Sequence, residues 1–104
     1  MKDSQTQTIV QSSENIFEDL GFALEEAANL KVRADLMLDL KKYINDREWT
    51  QEKAADFFGE AQSQISQLMN GEIERFSIDQ LINMLAKAGM KVKVEVIPEF
   101  VPQK

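Results

Sequence analysis

With 104 residues, 12 basic and 18 acidic side chains and a net charge of −6, the chain has room for one domain with a modest core, and no cationic excess to grip a polyanion by charge alone. Cysteine and histidine are absent, which excludes disulfides, thiolate nucleophiles, imidazole bases and the usual zinc sites. A carboxylate pair or a lysine is what remains for catalysis, and no Gly-rich phosphate loop accompanies either, so no enzyme, no catalytic residue, no metal site and no cofactor is expected.

Met1 to Ser13 is rich in Gln, Ser and Thr, with Ile9 and Val10 its only interior apolar residues, and is expected to be a mobile arm or a segment that orders on a partner. No apolar run reaches the ~20 residues that span a bilayer and no apolar leader core opens the chain, so a soluble cytoplasmic protein without a membrane partner is expected. Asn15 to Phe22 places Ile16, Phe17, Leu20 and Phe22 close together, a short helical turn that should tuck onto the body and end at Gly21. Leu24 to about Asp46 lacks Gly and Pro and is rich in Ala, Leu, Glu and Lys, which predicts a long helix. Leu30, Ala34, Met37 and Ile44 form one apolar stripe on it, and Leu36, Leu40 and Tyr43 its neighbour. Trp49 should anchor the core just ahead of the next helix.

Thr50 to Gly71 reads as two short helices around a tight turn at Gly59. Thr50 caps the first, with Lys53 where a capping box wants Glu or Gln. Ala55, four positions before Gly59, is small where two helix backbones come close, Phe57 and Phe58 should bury between the helices, and Ile65 and Leu68 give the second helix an apolar edge. That spacing is the packing pattern of a helix-turn-helix, whose second helix fits the DNA major groove. Facing out on it are Gln62, Ser63, Gln64, Ser66, Gln67 and Asn70, uncharged groups that donate and accept hydrogen bonds; Gln and Asn can pair bidentately with adenine, and Ser takes either role. A solvated helix in an ordinary bundle is the alternative, although such helices favour Lys and Glu. The natural N-cap of this helix is Ala61, which leaves backbone N–H groups for a phosphate to satisfy. Charge argues the other way: from Asn45 to Arg75 seven acids face Arg47, Lys53 and Arg75, a net −4, so binding to random DNA should be weak.

Ser77 to Gln80 forms a capping box, followed by Leu81, Ile82, Leu85 and Ala88 at helical spacing up to Gly89. Lys91 to Val96 then alternates strictly, with Val92, Val94 and Val96 on one face and Pro98 closing the segment, which predicts a strand. A lone strand cannot satisfy its backbone, so pairing is expected with its own copy in a dimer or with a partner's sheet edge; a hairpin with Thr8 to Val10 is the alternative.

From Asn15 to about Ile97 the chain resembles the Xre-type, lambda-repressor-like regulators, and within them the HigA-type antitoxins of HigBA toxin–antitoxin modules. The resemblance rests on Phe17 to Phe22 (FEDLGF), Glu25 to Met37 (EEAANLKVRADLM), Thr50-Gln51 with Ala54-Ala55, Ile65 to Gly71 (ISQLMNG) and Arg75 to Leu81 (RFSIDQL). The expected fold is thus an all-α, five-helix lambda-repressor-like helix-turn-helix domain, with the C-terminal β-strand read from the alternation pairing between subunits. The resemblance implies a homodimeric repressor that binds a double-stranded DNA operator, often its own promoter, with a small toxin ribonuclease as second partner. Carried over by residue, Gln51 would hold the phosphate backbone, Gln62, Ser63, Gln64 and Ser66 would face base edges, and Gln67 and Asn70 would lie at the margin. The candidate interface is thus Thr50, Gln51, Gln62, Ser63, Gln64, Ser66, Gln67, Asn70 and Arg75, and the candidate dimer contact Val92, Val94 and Val96. The chain departs from the family at Ala61 in place of a capping Ser or Thr, at Gln64 where Arg is common, and at Asn70-Gly71-Glu72 in place of a more basic stretch; these bear on DNA affinity and not on the fold. The expected organisation is an arm over 1–13, the helix-turn-helix domain over 14–90, a dimerisation strand over 91–97 and a tail over 98–104. The competing function is a protein-interaction module on the same scaffold that binds DNA weakly or not at all.

Overall fold

The computed structural model describes residues 15–98. Among these residues five α-helices follow one another: α1 (Ile16–Asp19), α2 (Leu24–Asp46), α3 (Gln51–Phe58), α4 (Gln62–Met69) and α5 (Ile78–Lys87), with a 3-10 turn at Ile73–Arg75 between the last two. The helix boundaries agree with the expected ones to within a residue or two. The 3-10 turn had no counterpart in the sequence pattern.

The long helix α2 is the spine, packing against α1, α4, α5 and the 3-10 turn, while α3 packs on α4. Both expected stripes of α2 face inward: Leu30, Met37, Leu40 and Ile44 are buried, and Leu36 and Tyr43 are half-buried against the same core. Ala54, Ala55 and Phe58 from α3, Ile65 and Leu68 from α4, Phe76, and Leu81, Met84 and Leu85 from α5 complete it. No polar or charged side chain is buried among the described residues, so the fold rests on apolar burial at roughly 25 cal/mol per Å². Among these residues no helix is long and apolar enough to cross a membrane.

Four local expectations are corrected. Phe57 is 40% exposed while Phe58 is fully buried: one turn of helix cannot send two consecutive side chains to the same side. Phe57 instead joins an aromatic group at the rim, its ring 4.9 Å from Trp49 and 6.2 Å from Tyr43, with the Arg47 guanidinium 3.6 Å above the Tyr43 ring. Trp49 is accordingly half-buried, packed against the core from its edge.

The α1 turn packs on α2 but tucks away only part of its apolar group. Ile16 and Leu20 stay 62% and 66% exposed, and only Phe17 and Phe22 meet, edge to face at 6.1 Å. A single helical turn has one inward direction, and Phe17 takes it. Asn15 anchors this turn, accepting from the Phe17 N–H at 2.9 Å and donating to the Ala27 carbonyl at 2.8 Å.

The strand expected over 91–97 is not formed: the described residues contain no strand, and 91–98 has no regular structure. A strand exists only where a neighbouring backbone supplies its ladder, and no described residue does so here. The alternation is broken as well, because Val92 is half-buried on the core while Val94 and Val96 are 75% and 90% exposed. The proposed hairpin partner Thr8 to Val10, the arm over 1–13 and residues 99–104 of the tail lie outside the described residues.

The last correction concerns the Ser77 capping box, which is half made. The Ser77 hydroxyl accepts from the Gln80 N–H at 3.1 Å, but the Gln80 side chain does not return to Ser77; its amide is engaged with Gln64 of α4.

Candidate nucleic-acid interface

The α3–α4 unit is set by a cap, a turn and a brace from α5. Thr50 caps α3, its hydroxyl accepting from the Lys53 N–H at 3.0 Å. Gly59 then turns the chain at φ 69°, ψ 34°, its N–H donating to the Ala55 carbonyl. This left-handed conformation costs most residues about 1–2 kcal/mol. A Cβ at Gly59 would also lie 3.1 Å from Lys87 Nζ, and that ammonium donates to the Phe58 carbonyl at 2.7 Å. Lys87 of α5 therefore clamps the turn between the two short helices by saturating an orphan carbonyl at the end of α3. The small Ala55, 6% exposed, sits beneath.

α4 begins at Ala61 without any side-chain cap and ends through Asn70 and Gly71, where the Gly71 and Glu72 N–H groups donate to the Leu68 and Gln67 carbonyls, both at 3.0 Å. Its buried edge is Ile65 and Leu68. Gln62 and Ser63 in its first turn are exposed; Gln64, Ser66 and Gln67 are half-buried; Asn70 is exposed. Thr50 and Gln51 are exposed at the start of α3. Arg75 is exposed on the 3-10 turn with Glu72 3.6 Å away. The structure thus gathers Gln62, Ser63, Ser66, Gln67 and Asn70 on one short rod, with Thr50 and Gln51 at the head of the adjoining helix and Arg75 beyond its far end.

Gln64 differs from its neighbours. Its Nε2 donates to Gln67 Oε1 at 3.1 Å, and its Oε1 accepts from Gln80 Nε2. Both ends of this amide are occupied within the domain, so it faces α5 as much as solvent.

Three contacts that shape this surface had no sequence signal. Lys87 and Gln80 act across elements far apart in the chain. Arg33 of α2 donates through Nη1 to the carbonyls of Ile73 and Phe76, at 3.1 and 3.2 Å, while its Nε is held by Asn29 at 2.7 Å. That fork pins the 3-10 turn, and with it Arg75, to the spine. The arrangement can offer amides and hydroxyls to a groove edge and exposed N–H groups of the uncapped α4 terminus to an anion.

A family model described as a helix-turn-helix domain matches residues 16–97. No curated protein matches the chain.

Proposed function

The chain belongs to the helix-turn-helix domain family, and from that premise we propose that it is a sequence-specific DNA-binding regulator, a repressor acting as a homodimer on an operator. The observation that carries this reading is α4 itself: one side locked by Ile65 and Leu68, the other carrying Gln62, Ser63, Ser66, Gln67 and Asn70, hydrogen-bonding groups with no charge. Gln51 and Thr50 at the start of α3 would meet phosphate, and so would Arg75. Two copies joined through Val92, Val94 and Val96 would have to hold their α4 helices one helical turn of DNA apart; the exposure of Val94 and Val96 supports that contact.

The test is retardation of the DNA upstream of its own gene. Wild type is expected to bind it in preference to random duplex, and Gln62→Ala to lose affinity by about 1–3 kcal/mol at one half-site base. Equal binding of both DNAs, unchanged by Gln62→Ala, would overturn base reading.

A second role, neutralising a small toxin ribonuclease, rests on the resemblance to HigA-type antitoxins. The net −4 of residues 45–75 favours one further reading, a protein-interaction module that has lost DNA binding. Co-purification with a small basic neighbour, with no DNA shift at ~50 mM salt, the permissive condition for phosphate contacts, would select that module instead.

A further inference from the structure

We infer that Gln80 of α5 is a specificity-determining positioning residue, which orients the reading surface of α4 through a directional relay of side-chain amides, Gln80 to Gln64 to Gln67. The inference rests on the DNA-binding reading above and deepens it.

The relay spans two elements. Gln80 Nε2 donates to Gln64 Oε1, and Gln64 Nε2 donates to Gln67 Oε1 at 3.1 Å. An amide has two N–H donors and two acceptor lone pairs. Because oxygen and nitrogen lie on opposite sides of the planar amide, each link orients the next: with its Oε1 accepting from Gln80, Gln64 turns its Nε2 toward Gln67. Gln67 must in turn direct its Oε1 back toward Gln64. The end of the relay is then a polarised group, with Gln67 Nε2 and its two donors directed away from the relay. All three glutamines are half-buried, so bulk water competes for these bonds less than it would at an exposed helix face, and a chain of such bonds is mutually strengthening.

Gln80 makes no return bond to Ser77; its side chain turns to Gln64 instead. A free glutamine can present either its oxygen or its nitrogen to a base edge and so accepts adenine, guanine, thymine or cytosine partners in turn. A glutamine whose oxygen is held back presents donors. It suits the acceptor atoms of the major groove, guanine O6 and N7 above all, and is ill-matched to the cytosine amino group. The sequence discrimination at one base pair of each half-site thus originates at residue 80, on a helix that need not touch that base.

The test is selection of bound sequences from a random duplex pool by wild type, Gln80→Glu, Gln80→Ala, Gln80→Lys and Gln67→Ala, with thermal unfolding of each. Gln80→Glu keeps size and the capacity to cap α5 but has no donor for Gln64; Gln80→Lys keeps a donor. The expected result is that Gln67→Ala identifies one base pair whose preference it abolishes. Gln80→Glu and Gln80→Ala should lose preference at that same pair by about fivefold or more, the low end of one bidentate contact, while Gln80→Lys retains it and every other position is unchanged. If wild type enriches a motif and Gln80→Glu enriches the identical motif, the relay is overturned while DNA reading stands. If wild type enriches nothing, the DNA reading falls and the relay's role with it. A uniform loss over all positions that tracks lowered unfolding temperature would assign Gln80 a purely structural part and also overturn the inference.

Discussion

Glu48 holds φ at 56°, the one non-glycine residue at positive φ among those described. It stands directly after the last turn of α2, where its own N–H reaches the Asn45 carbonyl at 3.0 Å and the Trp49 N–H reaches Ile44 at 3.3 Å. Those are the paired bonds of a helix stop that wants glycine, and α4 closes on the same pair of bonds with Gly71 at φ 77°. Glu48→Gly is therefore expected to raise stability by about 0.5–1 kcal/mol, the left-handed penalty removed less the added chain entropy, read as a shift in denaturant midpoint. Ala61 offers a second gain. Its φ −67°, ψ 148° already suit an N-cap, and no side chain serves there, so Ala61→Ser should add about 0.5–2 kcal/mol. If Ala61→Ser also lowers DNA affinity, the free N–H groups of α4 were serving a phosphate.

Between elements, two cations hold what apolar packing leaves loose. Arg33→Met is expected to free the Ile73 and Phe76 carbonyls from their donor and destabilise by about 1–3 kcal/mol, with amide hydrogen exchange rising around 73–76 ahead of the rest. Lys87→Met should loosen the Gly59 turn in the same way, protection falling at the end of α3. The element scale was also where sequence was most informative. Helical spacing in α2, α4 and α5, together with caps at Thr50 and Ser77, placed α2 to α5, because local propensity and burial agree there. Contacts such as Lys87 to Phe58 or Gln80 to Gln64 join residues 29 and 16 positions apart; they depend on how helices dock, which periodicity does not encode. Phe57 and the α1 apolar groups were misplaced because hydrophobicity alone does not say which of several apolar side chains a short turn can bury. The strand over 91–97 was legible as a pattern and absent as an element, since pairing is a property of two segments and not of one.

At the scale of the whole molecule, charge sets what the domain can do with a polyanion. The segment 45–75 carries Arg47, Lys53 and Arg75 against seven acids. Two protomers using all three cations would give a plot of log K against log salt no steeper than about −5, and a steeper slope would locate the phosphate contacts elsewhere on the chain. Affinity on such a surface must come from directional hydrogen bonds, which survive salt, and less from counterion release. Val94→Lys, at a residue 75% exposed, is expected to leave unfolding unchanged and to shift sedimentation from dimer to monomer if Val94 lies in the contact between copies.

The clamp that Lys87 places on the Phe58 carbonyl carries a consequence for engineering. The α3–α4 unit is not a portable cassette: its bend is held from outside by α5, and a transplant of residues 50–71 into a foreign scaffold would arrive with its elbow unbraced. A transferable module has to extend to Lys87, so that the brace travels with the joint it steadies.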